Sequence, residues 1–416
     1  MDSVHLTELI ALRRDLHRHP ELRFAERRTS ALLANHLAGL GLEVSTQVAK
    51  TAVVGTIDSG RPGPHIVLRA DMDALSTTDL KSVEYASATP GVAHACGHDV
   101  HCVAVLGATA LLLRGGALAG GGRLTVLFQP AEEIPFGETS GAQTVLDSGA
   151  LDDPRVDAVL ALHCWPQLPS GTIGVDSVTA MAAKLAFKIS VQGNGAHAAT
   201  PQLGRDALLG ASQIIVALHT LLGREVDPAD QVALNIGTLR SGSSQSIVPS
   251  QAELSGTLRT LSDPVVRRLK ESIERVASGV AATYNLTTTV DWKNEMPSVR
   301  NDPRLVELAH RELASCEGVT EVLTLPDPPM TSDDFALYAQ RWPGLYLKLG
   351  VADPAASSWP SLHDGAFDVD ERCIGTGAQA LAQVTRAVLR RPVDEAQDDP
   401  AERDPGARRK LEGVTW

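Results

Sequence analysis

Short apolar runs alternate with longer helical stretches between residues 66 and 163. In chain order the segments are IVLRA, VHCVAVLGATALLL, RLTVLF, SGAQTVLDSGAL and AVLALH. Runs of strand length that alternate with helical patterns are typical of βαβ units around a parallel sheet. The pattern therefore predicts an α/β domain in which helices flank a mostly parallel central sheet.

The pattern changes at about residue 184 and changes back at about residue 297. Strand character is found in FKISVQG, QVALNIGTLR, QAELSGTLRT and TTTVDW, and helical character in ALLGASQIIVALHTLL and DPVVRRLKESIERVASGVAATY. We expect residues 184–296 to form an inserted α+β domain with an antiparallel sheet and two helices. The first domain would then be discontinuous and consist of residues 1–183 and 297–392.

Residues 393–416 differ from both predicted domains. The segment VDEAQDDPAERDPGARRKLEGVTW is charged and lacks an apolar stripe with helical spacing. A segment of this composition buries too little apolar surface to offset its conformational entropy, so we expect a disordered tail.

Composition and charge narrow the class of protein. The 416-residue chain is 43% hydrophobic and 21% charged, has a formal net charge of −13, and contains no basic cluster. This balance is typical of a globular protein, argues against nucleic acid or an anionic membrane as a partner, and favours a small-molecule substrate. No apolar run has the length needed to span a bilayer.

Cysteine usage and the N-terminus suggest a compartment. Five scattered cysteines, an odd number, do not form a disulfide framework and are typical of a reducing environment. The segment MDSVHLTELIALRRDLHRHPEL has the pattern of an amphipathic helix and lacks the apolar block and cleavage site of a secretory signal. We therefore expect a cytoplasmic protein.

Candidate metal ligands follow the predicted strands of the first domain. In open parallel sheets, ligands bind beyond the carboxyl ends of the strands. The candidates are Asp71 and Asp73 after IVLRA, Glu132 and Glu133 after RLTVLFQ, His163 after AVLAL, and His94, Cys96, His98 and Asp99 in the loop before the long helix. Thiol, imidazole and carboxylate groups that meet at one sheet edge indicate a site for divalent zinc or manganese.

Each candidate has an ordinary structural explanation when it is considered alone. A histidine at a strand end, two adjacent acids and a buried cysteine are all common without a ligand. Together they allow a division of roles, because neighbouring glutamates on an extended segment project to opposite sides, so that one can bind metal while the other handles a proton. Cys96 and His98 flank one residue at a helix start, where the helix N-terminus would favour the thiolate.

A series of motifs in order along the chain resembles a known family. The motifs are RRDLHRHPEL, LRADMDAL, HACGHD, FQPAEE, ALHCWP, GAHAATP, IVPSQAELSGTLRT, MTSDDFALYAQRWPG and LHDGAFDVDE. The chain resembles the aminoacylase/carboxypeptidase family of binuclear metallohydrolases. It is most similar to the branch of indole-acetyl-amino-acid hydrolases, hippurate hydrolases and N-acetyl-diaminopimelate deacetylases.

The resemblance implies a metal centre in the discontinuous domain, which would be the catalytic one. It implies two divalent ions per subunit, zinc or manganese, with cobalt or nickel able to replace them. It assigns Glu132 as the general base and places Asp71 and Asp73 among acids that orient a ligand and tune the site. The implied metal ligands are Cys96, His98, Glu133, His163 and His363.

The resemblance also gives the inserted domain a role as a lid and dimerisation domain. It implies that His197, in GNGAHAATP, reaches into the site of a partner subunit and polarises the scissile carbonyl. It further implies that Arg259, in GTLRT, grips the substrate carboxylate, for which the forked guanidinium is well suited. A homodimer, or a tetramer, is therefore expected.

The function that we expect is cleavage of the amide bond of an N-acyl amino acid or a related small N-acyl compound. A dipeptidase, a carbamoyl hydrolase and a deacylase of a specialised metabolite remain alternatives, because a fold does not fix its substrate. A non-catalytic dimeric binding protein is the alternative from another class. It fits less well with a complete set of ligands and a base.

Two departures from the family pattern bear on the substrate. Ser246, in QSIVPS, stands where the family usually has asparagine, so a substrate-binding contact near the carboxylate or oxyanion would be lost or bridged by water. After the glutamate pair, relatives have several glycines, whereas this chain has IPFGETSG. We expect Ile134 and Phe136 to lie near the mouth of the site and to make the acyl pocket tighter or more apolar than in a typical relative.

Overall fold

The computed structural model describes residues 3–135, 137–152, 154–325 and 327–390. In these ranges it contains nine α-helices: α1 (Ser3–Arg18), α2 (Arg27–Gly39), α3 (His98–Arg114), α4 (Gly141–Asp147), α5 (Ala207–Glu225), α6 (Asp263–Thr283), α7 (Pro303–Leu313), α8 (Phe335–Arg341) and α9 (Arg372–Leu389). The strands of the first half are β1 (Glu43–Val48), β2 (Ala52–Asp58), β3 (His65–Asp71), β4 (Arg123–Gln129), β5 (Ala158–Pro169), β6 (Thr172–Asp176), β7 (Thr179–Met181) and β8 (Ala183–Gln192). Those of the second half are β9 (Ala196–His197), β10 (Val232–Ser241), β11 (Ile247–Val248), β12 (Gln251–Thr260), β13 (Thr287–Met296), β14 (Val299–Arg300), β15 (Glu321–Leu325) and β16 (Gly344–Ala352).

The larger sheet has eight strands in the order β1-β2-β4-β3-β5-β16-β6-β15. Its central pairs, from β4 through β3 and β5 to β16, are parallel, and antiparallel pairs lie on both sides of them. Every residue of β3 is buried, which is usual for a parallel strand covered on both faces. The predicted α/β class with a mostly parallel central sheet is therefore confirmed.

Helices cover both faces of this sheet. Alternate strand residues such as Ile66 and Leu68 pack with apolar residues of α1, α2, α3, α7 and α9. The residue between them, Val67, packs on the other face with α4 and α8. This alternation follows from the two-residue period of a strand. The start of α3 lies at the carboxyl edge of the sheet, where His98 and His101 approach Asp71 at the end of β3.

The smaller sheet is antiparallel, has the order β10-β12-β8-β13, and has its own apolar core. Buried and less buried residues alternate along β12, so one face packs on α5 and α6 while the other stays accessible. The predicted antiparallel sheet with two helices is thus confirmed. The domain boundaries at 184 and 297 stay predictions, as does the tail at 393–416, which lies outside the described residues.

The chain enters and leaves the smaller sheet at one place. Strand β7 pairs with β14 through Met181 and Val299, and a little further on Lys184 of β8 pairs with Met296 of β13. The outgoing and returning segments are therefore cross-strand neighbours.

Candidate active site

A cavity of about 330 Å³ lies between the carboxyl edge of the large sheet and the antiparallel sheet. Two groups of residues line it from opposite sides. We call the first group the edge wall; it consists of Cys96, Glu132, Glu133, His163, Asp333, Asp334 and His363. We call the second group the insert wall; it consists of Lys184, Arg259, Asn294 and Met296.

The loop before α3 brings a thiol and an imidazole to the edge wall. Gly97 has a φ of +86°, and a Cβ at this position would lie 2.7 Å from the Sγ of Cys164, so only glycine fits. Ligand atoms of Cys96, His98 and Glu133 all lie within 4.8 Å of one another. Neither ring nitrogen of the buried His98 has a hydrogen-bond partner among the described residues, although Asp73 approaches Nδ1 to 3.3 Å. Buried ring nitrogens without hydrogen-bond partners are suited to coordinate a cation.

His163 faces the same point, but it is not at a strand end as the sequence suggested. Strand β5 continues to Pro169, because its pairing with β16 extends past His163. The pairing of β5 with β3, by contrast, ends at Ala161, so His163 has no strand neighbour on that side, where it lines the cavity. The Nδ1 of His163 donates to the carbonyl of Cys164 at 2.9 Å, which leaves Nε2, 3.5 Å from the Sγ of Cys96, as the atom able to bind a metal.

His363 joins the edge wall from far along the sequence. Its Nε2 lies 2.8 Å from the Oε1 of Glu133, and its backbone N–H donates to the carbonyl of Ala95 at 2.8 Å. Its φ of +68° is in the left-handed region, which is uncommon for a residue with a Cβ. Such strain concentrates at functional sites.

Two carboxylates outside the cavity hold the backbone of the glutamate pair. Asp73 accepts the N–H groups of Glu132 and Glu133 at 3.1 and 3.0 Å. The buried Glu26 accepts the N–H of Ala131 at 3.0 Å, and Ala131 has a φ of +51°. The segment is therefore a bend, and the extended conformation expected from the sequence is wrong, because Asp73 draws two consecutive N–H groups to one side.

The pKa values of the two glutamates are shifted in opposite directions. Burial and the neighbouring Glu133 raise the pKa of Glu132 well above its usual value. Burial alone would also raise the pKa of Glu133, but contact with His363 lowers it. One carboxyl group thus favours the ionised form and the other retains a proton more readily.

The thiol of Cys96 does not behave as the helix N-terminus alone would suggest. Burial raises its pKa well above the usual range, and the Glu133 and Glu132 carboxylates add to the effect. Burial and the two carboxylates therefore oppose the thiolate that the helix N-terminus would favour. A bound divalent cation would reverse the balance, since a coordinating thiol is deprotonated.

A buried network that the sequence analysis missed supports this wall. Arg69 contacts Asp71 at 2.6 Å, Asp334 at 2.8 Å and Asp333 at 3.3 Å, and all four side chains are almost fully buried. Burial would raise the pKa of Asp71, but Arg69 and the nearby histidines hold it well below its usual value. A single buried arginine in a strand next to acids was the signal that the sequence offered.

His101 was also missed, although it lies one helical turn from His98. Its Nδ1 is 2.5 Å from the Oδ1 of Asp71, and its Nε2 accepts the N–H of Cys164 at 2.8 Å. Ligand atoms of Asp71, His98, His101 and His163 form a second group within 4.8 Å. The spacing His98-x-x-His101 could have identified it, because residues three apart share a helix face.

Arg259, which the family resemblance nominated as a substrate-binding residue, lies on the insert wall. Its Nη1 donates to the carbonyl of Met330 at 2.8 Å, and the rest of the guanidinium is available to the cavity. Ile134 lines the same cavity, whereas Phe136 lies outside the described residues.

His197 and Ser246 are elsewhere. His197 lies in β9 and Ser246 directly precedes β11, and the N–H of Ala198 donates to the carbonyl of Ser246 at 3.0 Å. Both side chains are exposed, and neither lines the cavity of its own chain.

A thiol, imidazoles and carboxylates gathered at the carboxyl edge of an α/β sheet define the centre of a metal-dependent hydrolase. Residues 67–387 match the sequence profile of peptidase family M20/M25/M40. The chain belongs to this family and is a metal-dependent amidohydrolase.

Relatives with stated activities are similar over nearly the whole chain. N-acetyl-L-cysteine deacetylase of Bacillus subtilis is 35% identical over 92% of this chain and 88% of its own length. IAA-amino acid hydrolase ILR1-like 4 of Arabidopsis thaliana is 33% identical over 92% of this chain and 86% of its own. The crystal structure of the YXEP protein of Bacillus subtilis, described as a dinuclear metal binding peptidase from the M20 family, has a TM-score of 0.79 and 33% identity, covering 93% of this chain and 99% of that one.

Proposed function

We propose that this chain hydrolyses the amide bond of an N-acyl amino acid and releases a carboxylic acid and a free amine. The observation that carries the proposal is the meeting, in one cavity, of Arg259 with the thiol, imidazoles and carboxylates of the edge wall. The guanidinium suits the carboxylate of an amino acid, and the edge wall suits the scissile amide. Relatives named as deacetylases and an amino acid hydrolase support this chemistry.

The donor set fits two divalent cations, zinc or manganese. Residues that would hold them are Cys96, His98, Glu133, His163 and His363. The ring nitrogens of His98, which have no hydrogen-bond partner among the described residues, and the Nε2 of His163, which faces the Sγ of Cys96 at 3.5 Å, favour this assignment. When bound, the cations would polarise the amide carbonyl and acidify the attacking water.

The side chains then have separate tasks. Glu132 acts first as a general base, which takes the proton from the attacking water, and then as a general acid, which gives that proton to the leaving nitrogen. Asp73 fixes the backbone of Glu132 through a 3.1 Å hydrogen bond. Asp71 orients the ring of His101, which lies behind the edge wall. Arg259 binds the substrate carboxylate through both of its oxygens.

We further propose a homodimer in which His197 and Ser246 complete the site of the partner. Both are exposed in a sheet beside Ile247, which is itself 50% exposed. The expectation that no run has the length needed to span a bilayer is wrong by length and composition alone, because helix α5 passes that test as the one such helix among the described residues. Its Ile214, Leu218 and Leu221 belong to the core beneath the antiparallel sheet, while Leu209 and Val216 are 45% and 61% exposed. An apolar surface next to polar catalytic candidates suits a subunit interface.

The five cysteines support a reducing compartment. All five are buried and free of disulfides. We therefore keep the cytoplasm as the proposed location.

Release of free amine from a substrate panel tests the reaction. The protein, loaded with zinc or with manganese, is incubated with N-acetyl, N-benzoyl and indole-acetyl amino acids and with dipeptides. We expect release from at least one N-acyl class and its loss after chelation, with metal analysis giving about two ions per subunit. Cleavage of dipeptides alone would replace the proposal with a dipeptidase. Stoichiometric binding of an N-acyl amino acid with no release would identify the binding protein.

Mixing two inactive variants tests the role of His197. Glu132→Ala and His197→Ala each remove one proposed group, and a hybrid dimer contains one site with both groups if His197 acts across the interface. Random exchange of subunits should then restore about a quarter of native activity. No recovery, in a mixture where subunit exchange is demonstrated by mass, would contradict action in trans.

A further inference from the structure

Two cationic side chains stand next to each other on the insert wall. Arg259 of β12 and Lys184 of β8 are direct cross-strand partners, and Lys184 is in turn opposite Met296 of β13. All three line the cavity. Apolar residues that flank Lys184 in β8, Ala183 and Leu185, point into the opposite, helix-covered core, so the lysine is on the cavity face.

This pairing is unfavourable for the protein alone. Side chains that are directly opposite in an antiparallel pair have Cβ atoms about 5 Å apart, and like charges there repel. Within the described ranges, neither cation has an acidic side chain in ion-pair distance, and the contact of Arg259 is a backbone carbonyl. By contrast, Lys188, further along β8, is paired with Glu253 of β12 at 3.0 Å. The sheet therefore neutralises a lysine where it faces solvent and leaves one uncompensated where it faces the cavity.

We propose that Lys184 binds a second carboxylate of the substrate, so that the preferred substrates are N-acyl amino acids with two carboxylates. The inference rests on the proposed function, in which Arg259 binds the first. The second carboxylate has two chemical sources: the side chain of an acidic amino acid, or the far end of a dicarboxylic acyl group. In either case its charge offsets the repulsion between the two cations.

The acidic side chains of the cavity lie on the edge wall. Glu132, Glu133, Asp333 and Asp334 line the cavity opposite the cations. Arg69 compensates Asp333 and Asp334, and the proposed metal cations would compensate the two glutamates, so the uncompensated positive charge that attracts a second substrate carboxylate lies on the insert wall. A dicarboxylate is thus oriented with its scissile amide toward the edge wall.

Two matched substrate pairs separate the sources in the metal-loaded enzyme. N-acetylglutamate against N-acetylglutamine varies the amino acid side chain, and N-succinylalanine against N-butyrylalanine varies the acyl end. We expect kcat/KM to favour the dicarboxylate in one of the pairs by about ten-fold to a hundred-fold, the range of a charge-assisted hydrogen bond. Lys184→Met should reduce that ratio at least ten-fold, and Lys184→Arg should retain most of it. Lys188→Met, the control on the same strand, should leave rates and ratios unchanged.

Calorimetry gives a readout that does not depend on turnover. In a Glu132→Ala background, the dicarboxylate of the favoured pair should bind more tightly than its neutral partner, and adding Lys184→Met should remove the difference. Equal binding of both members of both pairs overturns the inference. An equal loss for both members in Lys184→Met overturns it as well, because the two cations then share one carboxylate. Absence of amine release from every substrate, with the binding preference intact, contradicts the proposed function and leaves the inference standing.

Discussion

The two walls of the cavity hold their charges in different ways. On the edge wall and directly behind it, Arg69 has three carboxylate partners and is fully buried, and Asp73 is fixed between two backbone N–H groups. On the insert wall, Arg259 and Lys184 are partly exposed and face each other without an acidic partner. A buried charge with fixed partners is suited to hold reacting groups in place. A charge without a partner keeps its attraction for a ligand.

The comparison implies that substitutions in the edge wall change turnover and stability, whereas those in the insert wall change which substrate binds. The strongest test of the first half is Glu132→Ala. Removal of a general base costs about 10²- to 10⁴-fold in rate, so kcat should fall by that amount while metal content stays the same. Steady-state kinetics and metal analysis give both values. Glu138→Ala, an exposed glutamate in the same loop, is the control. Comparable activity in Glu132→Ala would mean that another group is the base.

Arg69→Met should produce the largest loss of stability. It leaves Asp71, Asp333 and Asp334 buried without their cation, and breaking a buried ion pair costs about 3–5 kcal/mol. Arg259→Met should cost less than about 1 kcal/mol, because no carboxylate depends on it. Urea unfolding of the metal-free proteins measures both free energies. Equal losses would remove the distinction between the walls.

Gly97→Ala should have a smaller but clear effect on the loop that carries Cys96 and His98. The backbone at this position has a left-handed φ of +86°, and the new Cβ would lie 2.7 Å from the Sγ of Cys164. Gly91→Ala is a matched control, with a φ of +74° and open space around it. The backbone term of about 1–2 kcal/mol is common to both, and overpacking adds about 1–3 kcal/mol at Gly97 alone. In thermal and urea unfolding, Gly97→Ala should therefore be less stable than Gly91→Ala. Equal stability of the two variants would show that the loop shifts to accommodate the new methyl group.

The smallest expected effect is a change in acid sensitivity. Burial alone would raise the pKa of Asp79, but His17, the N–H groups of Ser87 and Lys81, and the Lys81 ammonium lower it well below its usual value. Its contribution to stability is then complete above the ordinary pKa of about 3.9 and is lost as the pH falls through the lowered value.

Asp79→Asn should therefore cost about 1 kcal/mol at neutral pH and make stability fall less steeply in acid. The measurement is the free energy of unfolding from neutral pH down to about pH 3. Asp291→Asn, in an exposed position of β13, should leave the slope unchanged. Parallel curves for native protein and Asp79→Asn would contradict the pKa shift.

The sequence predicted the fold class because periodicity is a local property. The two-residue alternation in β12 and the continuous apolar run of β3 can be read from a few consecutive residues. The carboxyl-end rule then predicted which groups would meet at one edge, and Cys96, Glu132, Glu133 and His163 do line one cavity.

Contacts that depend on strand register, or on segments distant in the sequence, could not be predicted from local patterns. His363 joins the site from far along the chain and was nominated by resemblance alone. The pairing of Lys184 with Arg259 is set by the alignment of β8 with β12, which neither strand reveals separately. Arg69 was overlooked because its acidic partners Asp333 and Asp334 are distant in sequence.

The pairing of β7 with β14 has a consequence for how the chain folds. Because Met181 is opposite Val299 and Lys184 opposite Met296, the intervening segment begins and ends at nearly the same point. Closing a loop costs entropy that grows with its length, by about 0.6 kcal/mol for each doubling. If the antiparallel sheet forms first, the two parts of the large sheet are joined as if by a tight turn. The contact order of the large sheet is then effectively lowered, and its assembly should be correspondingly faster.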